Sequence, residues 1–144
     1  MIMNPNYTHT ITLYNCLRAS DNAKKTDVWY RKVIHNCYYK SLIDRVESGK
    51  GLQMTNVYTV RIPSSNNYRP YHQWILLDEQ DREQFFTLKP DDIVIHGECK
   101  DEIGANHAIS SAQLLNKYKP ESFRITAISD NTKAIAGKHY RLGG

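Results

Sequence analysis

Apolar and polar residues alternate with a period of two along most of the chain, a pattern that predicts strands rather than helices. Residues 8–13 have the sequence THTITL, which places Ile11 and Leu13 on one face and is typical of a half-buried strand. Other segments rich in β-branched or aromatic residues share this character. The remaining predicted strands are residues 28–34, 35–43 (a separate strand or a continuation of the one before), 55–62, 74–77, 92–97, 123–129 and 138–142.

One segment has helical spacing instead. Apolar residues recur at intervals of three from Ile109 to Leu115, and Asn106 is a residue type that caps helices. Pro120 cannot continue a helix, so the segment ends before it. The pattern predicts one helix of about three turns over residues 106–118.

Two segments lack a periodic apolar pattern and are predicted to be long loops. Glycines interrupt the alternation within residues 46–54, and residues 63–73 are rich in proline, serine and asparagine. Loops of this length in a compact domain are usually functional or mobile. With six to eight short strands and one helix, the chain is predicted to be mainly β, a small β-barrel or sandwich forming a single domain over residues 1–144.

Composition narrows the class of protein without changing this picture. The 144 residues are 40% hydrophobic and 24% charged, as in an ordinary soluble domain, and no apolar run approaches the roughly 20 residues that cross a bilayer. The first residues lack the basic and apolar blocks of a secretory leader. Three widely spaced cysteines argue against a disulfide framework. We expect a soluble protein that is made in the cytosol.

Charge is segregated along the chain, although the net charge is only +4. Residues 17–50 contain eight basic residues against four acids, residues 78–102 contain nine acids against three bases, and residues 115–144 contain six bases against two acids. If the fold keeps these segments on different faces, the acidic side of one subunit complements the basic side of another, which favours ring or stack contacts. The alternative is that the acidic residues 78–83 form only a solvated loop.

Two pairs of ligand-type side chains raise the question of a metal site. His35 and Cys37 are two residues apart, and His96 and Cys99 are three residues apart. Four such groups are a possible zinc ligand set, but an odd spacing on one strand points His96 and Cys99 to opposite faces. We therefore favour buried thiols beside exposed imidazoles and predict no metal and no cofactor.

No motif of a catalytic or nucleotide-binding site is present: there is no G-x-S-x-G, no Walker loop and no glycine-rich dinucleotide turn. A Cys–His pair can always be chosen from three cysteines and six histidines, so its existence carries no information. The adjacent carboxylates at 91–92 and 101–102 lie at predicted strand ends, where they cap or meet solvent. We predict no catalytic residues and no enzymatic activity.

Nucleic-acid binding has weak support in the sequence. Tyrosine is abundant, and residues 38–40 (YYK) and 68–71 (YRPY) combine aromatic and basic side chains as single-strand binders do. The basic residues form no dense stripe, so we expect at most a non-specific electrostatic relation to a phosphate backbone. The alternative role of these tyrosines is packing within strands and interfaces.

Six short stretches, in order over almost the whole chain, form a composite pattern. Each is weak alone, and together they span the predicted strands. The stretches are residues 10–15 (TITLYN), 29–34 (WYRKVI), 60–63 (VRIP), 91–97 (DDIVIHG), 125–131 (ITAISDN) and 139–144 (HYRLGG).

In this order the stretches resemble a family of small phage and prophage proteins of Gram-positive hosts, encoded among head and neck genes. Asp91 stands where the family pattern has glycine, and Tyr140 stands where it has tryptophan. The strand, helix, strand, turn, strand order of the second half also resembles the β-barrel of head-closure proteins.

The resemblance implies a virion structural protein of the head–tail connector, or neck. It is expected to be a head-closure (stopper) protein, a homo-oligomeric ring of six or twelve copies between the portal or adaptor and the tail. Double-stranded DNA would pass through non-specifically, and no membrane would be involved. Tail adaptor and tail terminator rings are the nearest alternatives, and a nucleic-acid-binding or zinc-binding module is the alternative of another class. The predicted loops 46–54 and 63–73 would provide axial contacts, and one would face the DNA channel.

Overall fold

The structure is a computed structural model that describes residues 6–48, 51–104 and 109–144, with the side chains of residues 43–48 and 51–56 excepted. The described chain is mainly β, as predicted: seven antiparallel strands form one sheet that curves into a half-barrel, with short helices around it. The strands are β1 (His9–Leu17), β2 (Val28–Ser48), β3 (Gly51–Pro63), β4 (Ile93–His96), β5 (Ser122–Arg124), β6 (Ala127–Asp130) and β7 (His139–Gly143). The helices are α1 (Tyr71–Trp74), α2 (Glu79–Gln84) and α3 (Ser111–Lys117), with a 3-10 turn at Ala19–Asp21.

The sheet has the order β5-β4-β1-β2-β3-β7-β6, and its curvature brings distant strands together. The ring of Tyr58 on β3 stacks on that of Phe123 on β5, with centroids 4.7 Å apart, although three strands lie between them in the sheet order. The inner face therefore encloses the main core. Members of this core on the strands include Ile11, Leu13, Cys37, Tyr39, Val60, Ile62, Val94, Leu142 and the two stacked rings.

Two chain segments cover the central strands, which explains why β1 is buried on both faces from Ile11 to Leu17. Over the inner face lies the connection between β3 and β4, which contributes Phe86 and Leu88 to the main core. Over the outer face lies α3, whose Leu114 packs in a second core with Tyr14 and with the outward residues of β4. Because both of its faces are buried, β1 lies at the centre of the molecule.

The long hairpin of β2 and β3 extends beyond the rest of the sheet. Pairing between β1 and β2 ends at His9–Cys37, and β3 pairs with β7 only from Thr59 onward. From Leu42–Val57 to Ser48–Gly51, seven residue pairs of β2 and β3 face each other and no described strand lies along either edge. We call this two-stranded part, residues 42–48 and 51–57, the arm; at 3.4 Å per residue it is about 20 Å long.

The position of the predicted helix was confirmed, but the predicted number of helices was wrong. The predicted helix over 106–118 exists as α3, which begins later because Ser110 and Gln113 form a capping box. The proposed cap Asn106 lies outside the described residues. The prediction of a single helix was wrong, since α1 and α2 are also present. The acidic segment 78–83, considered as a loop, is mostly α2, which Asp78 caps by accepting a hydrogen bond from the Asp81 amide.

Several strand and loop boundaries also differ from the predictions. The loop predicted over 46–54 was wrong, because β2 continues to Ser48 and β3 begins at Gly51. The loop predicted over 63–73 ends in α1 at Tyr71. The strand predicted over 74–77 was wrong, because Trp74 is the last residue of α1. The strand predicted over 123–129 is two strands, β5 and β6, which lie at opposite ends of the sheet. The strands are not uniformly short, since β2 has 21 residues.

Candidate functional site

The ligand-type pairs singled out in the sequence do not form a metal centre. Cys37 and Cys99 are buried in different cores. The imidazole of His35 pairs with the Thr10 hydroxyl at 3.0 Å, and that of His96 lies 2.9 Å from the Glu121 carboxylate. Within residues 6–48, 51–104 and 109–144, no three histidine, cysteine or acidic side chains are grouped in a way that could hold a metal ion.

The thiols are not placed for nucleophilic chemistry. Burial raises the pKa of the Cys16 thiol to about 11 and that of the Cys37 thiol to about 12, so both are protonated at neutral pH. A protonated buried thiol is a packing group, because the thiolate is the reactive species. The expected arrangement of buried thiols and exposed imidazoles is confirmed, since Cys37 and Cys99 are buried while His35 and His96 are exposed.

The two adjacent carboxylates at 91–92 separate in the fold. Asp91 is exposed at a backbone φ of 74°, a conformation that aspartate tolerates better than most residues. Asp92 is completely buried, and its Oδ1 lies 2.5 Å from the Lys89 ammonium while its Oδ2 accepts a hydrogen bond from the Asn15 amide. The two carboxyl groups therefore do not share a proton.

Asp92 belongs to a buried polar cluster that the sequence did not reveal. Asn15 donates to the Thr87 carbonyl at 2.7 Å and accepts from the Thr87 amide, and Asp92 accepts from the Cys16 amide at 3.1 Å. These bonds join β1 to the segment that precedes β4. Burial raises the pKa of the Asp92 carboxyl to about 6, against the opposing effect of Lys89. Because the ion pair is enclosed, the cluster holds strands together and offers no surface to a substrate.

The tyrosines of the two aromatic–basic segments differ in how they pack. In residues 68–71 the tyrosines pack internally: Tyr68 lies 4.4 Å from the Tyr140 ring and Tyr71 lies against Trp74. In residues 38–40 strand alternation buries Tyr39 in the inner core and turns Tyr38 and Lys40 to the outer face. Internal packing thus accounts for most of these rings. Tyr38 is half-buried against the Tyr7 and His9 rings, and Lys40 is exposed.

At one rim of the half-barrel, the Tyr39 and His96 rings stack in parallel with centroids 4.3 Å apart. His9 packs edge-on against His96 at 5.6 Å, and Glu121 holds the His96 imidazole from the other side. Each of these groups is engaged with its neighbours. The rim is a packed aromatic cluster that closes one end of the inner core.

The outer face of β2, β3 and β7 forms a basic surface with an apolar end. Tyr38, Arg61 and Arg141 are directly opposite one another across the three strands, and the Arg61 guanidinium lies 5.4 Å from the Tyr38 ring. Lys40 lies in the next row, and the exposed pair of Leu42 and Val57 lies beyond it at the root of the arm. We call this surface the outer basic face and define it by Lys40, Leu42, Val57, Arg61 and Arg141.

A second exposed surface has the opposite charge. Leu76, which is 82% exposed, precedes α2, and Asp78, Glu79 and Glu83 are exposed along the helix. We call these four residues the acidic patch. The amino-acid sequence shows the concentration of acidic residues here. Its pattern predicted neither helix α2, on which they lie, nor the exposure of Leu76 beside them.

A shallow cleft of about 450 Å³ lies between α3 and the seam where β3 approaches β5. Its lining includes the aromatic residues Tyr58 and Phe123 and the cations Lys119 and Arg124. Tyr58 donates a hydrogen bond from its hydroxyl to the Pro120 carbonyl at 3.0 Å. The described lining of the cleft combines cations and aromatic rings, and the hydroxyl of Ser122 is engaged in a hydrogen bond to the Leu115 carbonyl at 2.8 Å.

In the described parts of the chain, no helix is both long and apolar enough to span a bilayer. The described structure has two exposed surfaces of opposite charge and a hairpin whose edges pair with no other described strand. Surfaces and strand edges of this kind are used in contacts between macromolecules.

Comparison with known proteins adds one result. No curated protein and no solved structure matches the chain. The DUF6751 family, described as a family of unknown function, matches residues 6–144 and so includes every described strand and helix. The chain belongs to the DUF6751 family.

Proposed function

We propose that this protein is a structural component of a bacteriophage neck, most specifically a head-closure (stopper) protein. It would form a homo-oligomeric ring of six or twelve copies between the portal or adaptor and the tail. The ordered motifs over residues 10–144 resemble proteins of this kind, and a β half-barrel with projecting elements agrees with such a role. In this proposal the protein acts by shape and contact rather than by catalysis, in the virion neck, after synthesis in the host cytoplasm.

The arm is the observation that supports this function best. A two-stranded hairpin is at best marginally stable on its own in water, and neither edge of the arm pairs with another described strand. Such a hairpin is stabilised when it adds to a neighbouring sheet or is held between subunits. The arm would bridge to the next subunit or to the portal, adaptor or tail protein that lies above or below the ring.

DNA would pass through the ring without being recognised. A translocating duplex must not bind tightly, so the lumen is expected to be neutral or mildly acidic, because each lysine or arginine on a phosphate adds affinity. Of the two segments considered for the channel, 46–54 and 63–73, the second is the poorer candidate because Tyr68 and Tyr71 are fixed by internal packing. The arm, which includes most of segment 46–54, would be the element that reaches a partner or the channel.

The alternatives of the same class are a tail adaptor and a tail terminator ring. These have the same requirements for shape and differ in which neighbour they bind. A zinc-binding module would lose its fold in a chelator, and a regulatory nucleic-acid binder would show a steep salt dependence of affinity as an isolated protein.

The test is reconstitution. Purified protein mixed with portal complexes from a phage that encodes a family member should add a ring of density to the portal in negative-stain electron microscopy. A variant in which residues 43–56 are replaced by Asn-Gly should stay folded and fail to add that density. Absence of the protein from purified virus particles, or turnover of a small molecule by the purified chain, would contradict the proposal.

A further inference from the structure

The cations of the outer basic face form no ion pair with the side chains that the structure describes. Lys40, Arg61 and Arg141 have no ion pair there, and Arg61 and Arg141 are direct cross-strand neighbours. Like charges that face each other across strands are unfavourable unless a partner neutralises them. The Arg61 Nε is buried and has no hydrogen-bond acceptor in the described structure. The face thus combines three cations with an unmet hydrogen-bond donor.

The apolar part of this face limits which partner can bind. Leu42 is 50% exposed and Val57 is 43% exposed, and the two are directly opposite on β2 and β3. A duplex phosphate backbone would neutralise the cations but would offer little apolar surface to cover these aliphatic side chains. A protein surface that has both carboxylates and an apolar side chain matches the face better.

The acidic patch has this composition. Glu79 and Glu83 lie one helical turn apart on α2, and neither has an ion pair among the described side chains. The exposed Leu76 lies beside them and supplies the apolar element. The patch therefore complements the outer basic face in both charge and apolar content.

The two surfaces lie on opposite sides of the sheet and cannot meet within one chain. Helix α2 packs on the inner side, where Arg82 donates to the Tyr30 hydroxyl at 3.1 Å and Lys32 donates to the Gln84 carbonyl at 2.9 Å. Tyr30 and Lys32 share that side with the core residue Leu13, whose cross-strand partner is Lys32. A contact between two different surfaces of identical copies is heterologous, and it closes into a ring if the rotation permits.

We propose that the acidic patch of one copy docks on the outer basic face of the next copy. This inference rests on the ring assembly proposed above and names the two surfaces that join neighbouring subunits. Glu79 and Glu83 would neutralise Lys40, Arg61 and Arg141, and Leu76 would pack on the pair of Leu42 and Val57. The contact would be strong at low salt and weak at high salt, because exposed charge pairs are screened.

The experiment uses charge reversal and mixing. Variant one is Glu79→Lys with Glu83→Lys, and variant two is Lys40→Glu with Arg141→Glu. Sedimentation velocity at millimolar protein and low salt should show self-association of the wild type, and each variant alone should raise the apparent dissociation constant at least about tenfold. Circular dichroism verifies that both variants are folded.

Mixing the two variants makes the test specific. In the mixture, the basic face of variant one meets the native acidic patch of variant two, and the reversed surfaces also complement each other, so association should return. The control variant, Lys24→Glu with Lys100→Glu, has the same charge change as variant two at exposed lysines elsewhere and should associate as the wild type does.

Three outcomes would overturn the inference. The first is a wild type that stays monomeric at millimolar concentration in low salt. The second is oligomers that both variants form as well as the wild type, in which case the neck function stands and other surfaces make the ring. The third is that the wild type and variant one bind duplex DNA tightly while variant two does not, which would assign the basic face to nucleic acid. Failure of the neck function is a separate result, recognised by the absence of the protein from virus particles.

Discussion

The ion pair of Asp92 and Lys89 shows how one buried carboxyl makes stability depend on pH. Burial raises the pKa of the Asp92 carboxyl from 3.8 to about 6 in the folded protein. Between these two pH values the folded state binds more protons than the unfolded state. The free energy of unfolding therefore falls as pH rises from about 4 to about 6 and is level above that range, as far as this group is concerned. A shift of roughly two units corresponds to about 3 kcal/mol.

Removing the Lys89 ammonium should make the free energy of unfolding depend more strongly on pH. In Lys89→Met the carboxylate loses its 2.5 Å partner, so the pKa of Asp92 rises further and its ionisation costs more. We expect a loss of about 3 kcal/mol in the free energy of unfolding at neutral pH, and a smaller loss at about pH 5, where the carboxyl is protonated. Urea denaturation at several pH values measures it. Lys100→Met, at an exposed lysine, is the control. A loss that is equal at all pH values would show that packing, not charge, is responsible.

At the scale of the element, the arm should be dispensable for folding. Its residues pair only with each other among the described strands, and the rest of the molecule uses β2 and β3 only as far as the pair of Ser41 and Tyr58. Replacing residues 43–56 with Asn-Gly should change the free energy of unfolding by less than about 1 kcal/mol, because a short turn closes a hairpin well. Chemical denaturation measures this. A loss of several kcal/mol would mean that the arm packs on the body of the molecule.

The elements that the sequence predicted correctly are those with a clear alternation. The segments around Ile11 and His139–Gly143 alternate and are β1 and β7, and the short apolar run 93–95, which glycine follows at 97, is most of β4. The helices α1 and α2 were not predicted, because each is only about one to one and a half turns long and too short for a helical period to be visible. The break between β5 and β6 was missed because only residues 125–126 separate the two strands, and no sequence signal shows that the chain passes there from one end of the sheet order to the other.

The candidate surfaces were predictable in charge but not in position. The acidic residues 78–83 stood out in the sequence, whereas their place opposite the outer basic face depends on which side of the sheet α2 covers. The basic face itself assembles Lys40 and Arg61 from the β2–β3 hairpin and Arg141 from β7, which is distant from them in sequence. Its only local sign is the alternation of Tyr38, Lys40 and Leu42 along β2. The buried Asn15–Asp92 cluster has no sequence pattern at all, since long-range register brings it together.

At the scale of the whole molecule, the half-barrel narrows where β7 and β5 approach each other. Gly144 pairs with Tyr58 through its amide and carbonyl, and it lies beside Phe123 of β5. A methyl group at position 144 would stand 2.2 Å from a Phe123 ring carbon and 2.6 Å from the Arg124 carbonyl oxygen. A methyl group at position 143 would meet its nearest neighbours at 3.8 Å, an ordinary contact distance. The seam therefore requires glycine at one of two adjacent positions only.

This difference gives a matched pair of variants. Gly144→Ala should force Phe123 or the end of β7 to move and should lower the free energy of unfolding by about 1–3 kcal/mol, the usual cost of overpacking. Gly143→Ala adds the same methyl group one residue earlier and should be close to neutral. Urea denaturation of both variants measures the two costs, and near-ultraviolet circular dichroism of the stacked Tyr58 and Phe123 rings reports whether the seam has opened. Equal stability of the two variants would mean that the ends of the curved sheet are not held together at this point, and that the half-barrel keeps its curvature through the inner core alone.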